Sequence, residues 1–424
     1  MSSESDPSDS RIDRLEREVE QLKAENEQLR QYQGEQLLGK STRRTVLGAL
    51  GGGALLSAAS GTASAAEWAD ADSDGLLETG KDGIDIPRVN YVRYVGDDGF
   101  QTIKAALNDL PSIGTPYGSS LPAGKVVIQA DFTPGDSYPV TVNGNVTIEG
   151  HGQKATILEP PSGTRAFVID PPGGSDNLTR VCMRDFSVWG GAGIAELRGG
   201  VNHMFENLQC VKTDNKEGRA FKYDRDSTND DYQSFSATFK HCTAHDAGLI
   251  KTVDNGGGNN SLRLFGCDAT YFAKPAIDVS SGDTDITLMG CTLQYPIEGC
   301  YYGIRARDVQ SLKMYGGYAE FEEDSNVTPD DQWLLNTKSG GTHATLDGVY
   351  VNNATGVVRP MDSNDRISLR NIEYVGVKSA LANVVDAQTV FIEDETCHPV
   401  PGGSSVPLAK GTTSVVKVND SSAY

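Results

Sequence analysis

Apolar and polar residues alternate in short units that recur along most of the chain. Cys182-Met-Arg-Asp-Phe-Ser-Val188, Met204-Phe-Glu-Asn-Leu-Gln-Cys210, Thr238-Phe-Lys-His-Cys-Thr-Ala244 and Arg263-Leu-Phe-Gly-Cys-Asp-Ala269 share one frame, which continues through Thr287–Leu293, Lys313–Ala319, Thr345–Val351 and Ser368–Tyr374. The fourth position of these units is Asp185, Asn207, His241, Gly266, Gly290, Gly316, Gly348 or Asn371. All are residue types that enter the left-handed backbone region readily, so each predicts a sharp corner between two short strands. Successive corners lie 22, 34, 25, 24, 26, 32 and 23 residues apart, and a further 23 reaches Asp394. That is the length of one coil of a three-strand solenoid, with the excess in projecting loops.

Strand parity then sorts the side chains. Met183, Phe205, Phe239, Leu264, Leu288, Met314, Leu346 and Leu369, two residues before each corner, are expected to point inward. So are Phe186, Leu208, Cys242, Cys267, Cys291, Gly317, Val349 and Ile372, one residue after it. Cys242, Cys267 and Cys291 thus form a buried ladder, either as packed thiols or with one adjacent pair within disulfide reach.

Composition narrows the setting. The 58 Asp and Glu against 37 Lys and Arg give a net charge of −21, which excludes a nucleic-acid partner over most of the surface. Such a surface suits a high-salt habitat and equally an ordinary acidic secreted protein. Ser41-Thr42-Arg43-Arg44-Thr45-Val46-Leu47, a Gly-rich apolar run to Ala59 and Ala63-Ser64-Ala65 read as a twin-arginine export signal of haloarchaeal type, cleaved before Ala66. Cleavage leaves 29 Lys and Arg against 48 Asp and Glu, since residues 1–65 hold 8 and 10 of them. Ahead of the signal, Ile12, Leu15, Val19, Leu22, Asn26 and Leu29 follow a heptad pattern. This helix is discarded on cleavage, or it assembles a membrane-anchored homo-oligomer if the signal is retained.

Phe100-Gln-Thr-Ile-Lys-Ala-Ala-Leu107 predicts a short helix capping the open end of the stack, and Lys125–Gln129, Asn145–Gly152 and Ala155–Leu158 supply the first rungs. A short helix, a strand, then the run from Val146 to Leu158 resembles the start of the pectate-lyase-like superfamily of right-handed parallel β-helices, and the resemblance spans roughly residues 90 to 400. The expected fold is all-β, a right-handed parallel β-helix of about nine or ten rungs. The expected organisation is an extension at 1–40, the signal at 41–65, an acidic linker at 66–89, the β-helix at 90–398 and a capping tail at 399–424.

That superfamily includes lyases, polygalacturonases, epimerases, tailspikes and adhesins, so the resemblance implies several activities. In its enzymes a polysaccharide groove runs along the first strand of each coil. Alternation turns Glu196, Arg198, Lys222, Asp224, Asp278, Arg305 and Arg307 outward there, with Lys251, Lys338 and Arg359 beside them. A mixed charged stripe rich in bases suits an anionic chain such as a uronate glycan. Elimination would use Lys251, Asp278 and Arg305 as the catalytic group, with calcium held by Asp278 and Asp224 and with Lys251 or Arg305 as base. Inverting hydrolysis would instead pair Asp224 with Asp278 at about 9.6 Å, two coils apart. Asp224, Arg307, Tyr271 and Tyr295 are the candidate substrate contacts; Tyr271, Tyr295 and Phe321 form either a sugar-stacking ridge or buried corner packing. Asp70, Asp72, Asp74 and Glu78 resemble half of a calcium loop, but Lys81 stands at its twelfth position, so the segment reads as a calcium site or as an acidic linker. The functional expectation is a secreted or cell-surface protein that binds, and can cleave, an acidic polysaccharide; the alternative is a non-catalytic adhesin, envelope component or spike-like rod.

Overall fold

Each repeat unit forms two short strands separated by one left-handed residue, and successive units stack in parallel register. The computed structural model describes residues 76–77, 86–87, 91–411 and 415–417, except 115–119, 172–178, 215–217, 225–235, 254–260, 281–284, 298–299, 322–331, 339, 385–388, 394–395, 402 and 408. The export signal, the heptads, Asp394 and the acidic segment with Asp70, Asp72, Asp74 and Glu78 lie outside the described residues. Two compact units result, Met1–Val89 and Asn90–Tyr424. In the first, Leu76–Leu77 pairs antiparallel with Ile86–Pro87.

The second unit is a right-handed parallel β-helix. Eleven strands from Val140–Val142 to Ala409–Gly411 make one parallel sheet. The strands before and after each corner stack likewise, as Ala237–Lys240 on Leu262–Phe265 and Thr243–His245 on Asp268–Thr270. At the front the helix Ile103–Asn108 buries Ile103, Ala106 and Leu107. Its exposed first-turn amides are capped by the Asp136 carboxylate, which accepts from Ile103 N at 2.7 Å and Lys104 N at 3.0 Å.

All eight corner residues have positive φ, from 49° at Asn371 to 69° at Gly348. A left-handed conformation costs an ordinary residue roughly 1–2 kcal/mol, which glycine avoids and Asn or Asp reduces. The asparagines also tie rungs together: Asn207 Nδ2 donates to Asp185 Oδ1 and Asn371 Nδ2 to Asp347 Oδ1, both at 2.7 Å. Five residues further on lies a second left-handed corner that the alternation does not announce, at Lys212, Asp246, Tyr271, Tyr295, Asn353 and Gly376, with φ from 54° to 64°.

The inward positions fill the interior as parity requires. Met183, Phe205, Phe239, Leu264, Leu288, Met314, Leu346 and Leu369 are all buried. Phe205 and Phe239 stack with centroids 5.0 Å apart, and Phe221 packs 4.7 Å from each. Each such ring contributes about 1.5–3 kcal/mol on burial. The cysteine ladder is one of packed thiols: all seven cysteines are free, and Cys242, Cys267 and Cys291 Sγ reach Phe205 O, Phe239 O and Leu264 O at 3.5, 3.6 and 3.7 Å. Gly317 ends the ladder because a Cβ there would lie 2.5 Å from Cys291 O.

A buried histidine pins an early coil. His203 Nδ1 accepts from Val181 N at 3.1 Å, so Nε2 carries the proton and donates to Gly199 O at 2.8 Å. Burial pushes its pKa down from 6.5 to about 4, against the opposing pull of the Gly199 bond. The neutral ring is the folded form, so its contribution is complete above pH 6.5 and is lost as pH falls through 4. We expect about 3 kcal/mol of stability to disappear across that window. His203→Gln should show a flatter acid limb in urea unfolding between those pH values, and identical limbs in the two proteins would refute the assignment.

Candidate functional site

Strand register converts the predicted outward charges into columns. In the eleven-stranded sheet, Glu196, Lys222, Lys251, Asp278, Arg305, Asn336 and Arg359 pair in succession, one residue per coil. Backbone bonds from Asp224 N to Leu197 O, Arg307 N to Val279 O and Lys338 N to Ala306 O, each 3.0 Å, place those three residues two positions downstream. Lys251, Asp278 and Arg305 therefore sit side by side on three neighbouring coils, with Arg307 beyond them. Alternation did not single out Asn336, which occupies the same column but is 1% exposed. Its Nδ2 lies 3.4 Å from Met361 Sδ, under a turn drawn in by Asp365, whose carboxylate accepts from Thr342 N at 2.8 Å, Met361 N at 3.1 Å and Asp362 N at 2.9 Å.

Asp278 is the electrostatic centre of the stripe. It is 2% exposed; Arg305 Nε donates to its Oδ1 at 2.8 Å and Arg305 Nη2 to its Oδ2, while Arg307 Nη2 stands 3.7 Å from Oδ1. The fork-to-carboxylate geometry holds the Arg305 pKa above its ordinary value, against burial. Arg219 lies buried nearby. Its side chain crosses Gly248, where a Cβ would fall 2.4 Å from Arg219 Cδ, and its Nη1 donates to Gly218 O at 3.0 Å. Burial lowers its pKa to about 10, with Asp278 the leading opposing charge. Arg165 repeats the device: it passes over Gly193, donates to Arg219 O at 2.7 Å and is likewise brought to about 10 by burial.

This geometry bears on the chemistry expected of the stripe. Both Asp278 oxygens are engaged by Arg305, and Asp224 is paired with Lys222. A divalent cation between these two carboxylates would have to displace guanidinium and ammonium groups, so calcium does not fit there. Among the described residues, no group of three or more His, Cys, Asp and Glu side chains is arranged to hold a metal. Asp224 and Asp278 are two coils apart and also two residues apart along the strand, which by strand geometry separates their backbone positions by about 12 Å, and each carboxylate is held in an ion pair.

The tyrosines stand away from the columns, at the ends of Asp268–Thr270 and Thr292–Gln294 where the chain turns toward the stripe sheet. Tyr271 and Tyr295 stack on one another with centroids 5.4 Å apart and planes at 24°, and His245 meets Tyr271 edge-on at 5.2 Å. One face of each ring is taken by the other, and Tyr271 remains 36% exposed. Phe321, expected with them, is core. The residues beside them include Glu320, which accepts from Gln294 Nε2 at 3.0 Å and Asn352 Nδ2 at 3.1 Å. Burial pushes the Glu320 carboxyl up, but the Tyr318 and Tyr295 hydroxyls together with these amides hold it below its usual value.

No protein-family model and no curated protein matches the sequence. Among solved structures, the chain is similar to a pectin methylesterase mutant in complex with a hexasaccharide, at 10% identity over 68% of this chain and 90% of that one, with a TM-score of 0.36.

Removing the central carboxylate should be costly. Asp278→Ala leaves Arg305 and Arg307 facing one another above buried Arg219, and we expect a loss of about 2–3 kcal/mol, at the low end for a broken buried pair because the guanidiniums are partly exposed. Asp224→Ala, on a more open pair, should stay within about 1 kcal/mol. Equal losses for the two variants in denaturant unfolding would show that Asp278 is no anchor.

Proposed function

We propose that this chain is an exported β-helix protein that holds an acidic polysaccharide along the charged columns of its long sheet. One observation carries the reading. In a protein of net charge −21, Lys251, Arg305, Arg307, Lys338 and Arg359 line one sheet within five successive coils, four of which carry a base. Neighbouring coils lie roughly 4.8 Å apart, comparable to the rise of one sugar in an extended chain, so a linear polyanion laid along the axis meets a new base at nearly every residue. The twin-arginine pattern at Ser41–Leu47 supports delivery to the exterior, where such glycans occur.

Binding is favoured over hydrolysis because the stripe carboxylates Glu196, Asp224 and Asp278 are all in ion pairs. If cleavage accompanies binding, elimination is the chemistry these residues support. Lys251, whose side chain has no ion pair or hydrogen bond among the described residues, would take the proton beside the uronate carboxyl. Arg307 would neutralise the carboxylate as charge moves onto it, and the glycosidic oxygen on the neighbouring carbon would leave as its C–O bond breaks and take up a proton from water, giving the unsaturated uronate.

The test is a titration with polygalacturonate, alginate and neutral dextran at several salt concentrations, with ultraviolet absorbance followed for unsaturated uronate. We expect retention of the acidic chains, weakening steeply with salt, and none of dextran. Equal affinity for dextran would overturn the proposal, and an absorbance rise abolished by Lys251→Ala would establish elimination.

A further inference from the structure

The stripe is neutralised unevenly along the axis. In the earlier coils the charges satisfy one another: Arg198 Nε bonds Glu196 Oε1 at 2.9 Å and Arg198 Nη1 stands 3.4 Å from Asp170 Oδ2, while Lys222 sits 3.5 Å from Glu196 and is paired with Asp224. In the later coils Asp278 is the stripe carboxylate that must serve Lys251, Arg305, Arg307 and Lys338 together, and Arg305 takes both its oxygens. The ammonium groups of Lys251 and Lys338 form no ion pair and no hydrogen bond among the described residues. The Arg307 guanidinium makes no hydrogen bond there either; its Nε is buried without a partner and its nearest carboxylate oxygen, on Asp278, is 3.7 Å away. Lys251 pairs in register with Asp278, yet that carboxylate is turned to Arg305.

Desolvating an ion already paired gains a ligand little, whereas an unpaired cation offers its full attraction. Resting on the reading of the stripe as a polyanion site, we infer that the anionic chain is gripped only between the coils of Gly248–Thr252 and Trp333–Thr337. Lys251, Arg307 and Lys338 are the contacting cations. Asp278 and Arg305 are positioning residues: their clamp fixes Arg305 and leaves Arg307, too far for a hydrogen bond, to meet the ligand. The coils of Lys251 and Lys338 are three steps apart, about 14 Å along the axis. That length accepts three or four consecutive anionic groups and no more, whether the charges are uronate carboxylates or sulfate esters.

The experiment is calorimetric titration of the full chain with oligogalacturonates of two to eight sugars, and with sulfated oligosaccharides of matched length. Affinity should rise to about four sugars and then level. Arg307→Ala and Lys338→Ala should each lose roughly tenfold. Lys338 is exposed, so folding is not at stake in that variant. The double variant Glu196→Gln/Lys222→Gln keeps the net charge and should bind within about twofold of the parent. Asp278→Asn should lower affinity, and in it the Arg307→Ala loss should shrink. Affinity that keeps climbing to eight sugars, or that survives Arg307→Ala and Lys338→Ala but falls in the double variant, overturns the short footprint while leaving a polyanion site in place. Failure of every anionic oligomer to bind the parent overturns both. The stronger of the two oligomer series identifies which anion the cations were built for.

Discussion

Everything in this molecule depends on the chain returning to the same place after each coil. Parallel strands pair in register only if every turn advances the backbone by one strand spacing, and a left-handed residue at each first corner, followed in most coils by a second five positions on, does much of that steering. The first is supplied by residues that enter the region cheaply. The second is forced onto Lys212, Tyr271 and Tyr295 as well, and the stacking of the two tyrosines offsets part of the strain. Once the corners repeat, the interior columns follow, since each inward side chain meets its counterpart one coil away. The thiol ladder and the phenylalanine stack are both products of that repetition.

The same repetition makes a site out of residues that are remote in sequence. Lys251, Asp278 and Arg305 are more than twenty residues apart from one another but adjacent in the sheet. What they can do is decided by how charge is shared among them. A carboxylate at 2% exposure could not persist beside bulk-like neighbours, and here it is held by one guanidinium in fork geometry, with a second close by and a third buried beneath. The glycines at 193 and 248 are part of this arrangement, because their missing side chains make room for Arg165 and Arg219.

Much of the architecture was legible in the sequence because it rests on local rules. Gly, Asn, Asp and His at one recurring position, with apolar residues two before and one after, specify a corner and its parity without any knowledge of the fold. The second corner was hidden because tyrosine and lysine are poor indicators of a left-handed backbone. The outward charges were legible for the same reason of parity. Their pairing was not: alternation says which face a residue takes, whereas register says which residues meet. Asp224 belongs to the downstream column and not to that of Asp278, a two-residue offset that no single strand reveals. Asn336 was missed because an uncharged residue between two strands of bases gives no signal until its partners are known.

Because neighbouring coils are joined by ladder hydrogen bonds that point along the solenoid axis, the rod answers differently to load in different directions. Force across the axis must shear many of those bonds at once. Tension applied along the axis meets them one coil at a time, in series. A chain of this kind tethered at one end and pulled at the other lengthens in steps, each releasing about one repeat, and it keeps the coils nearest its anchor until last if peeling begins at the free end.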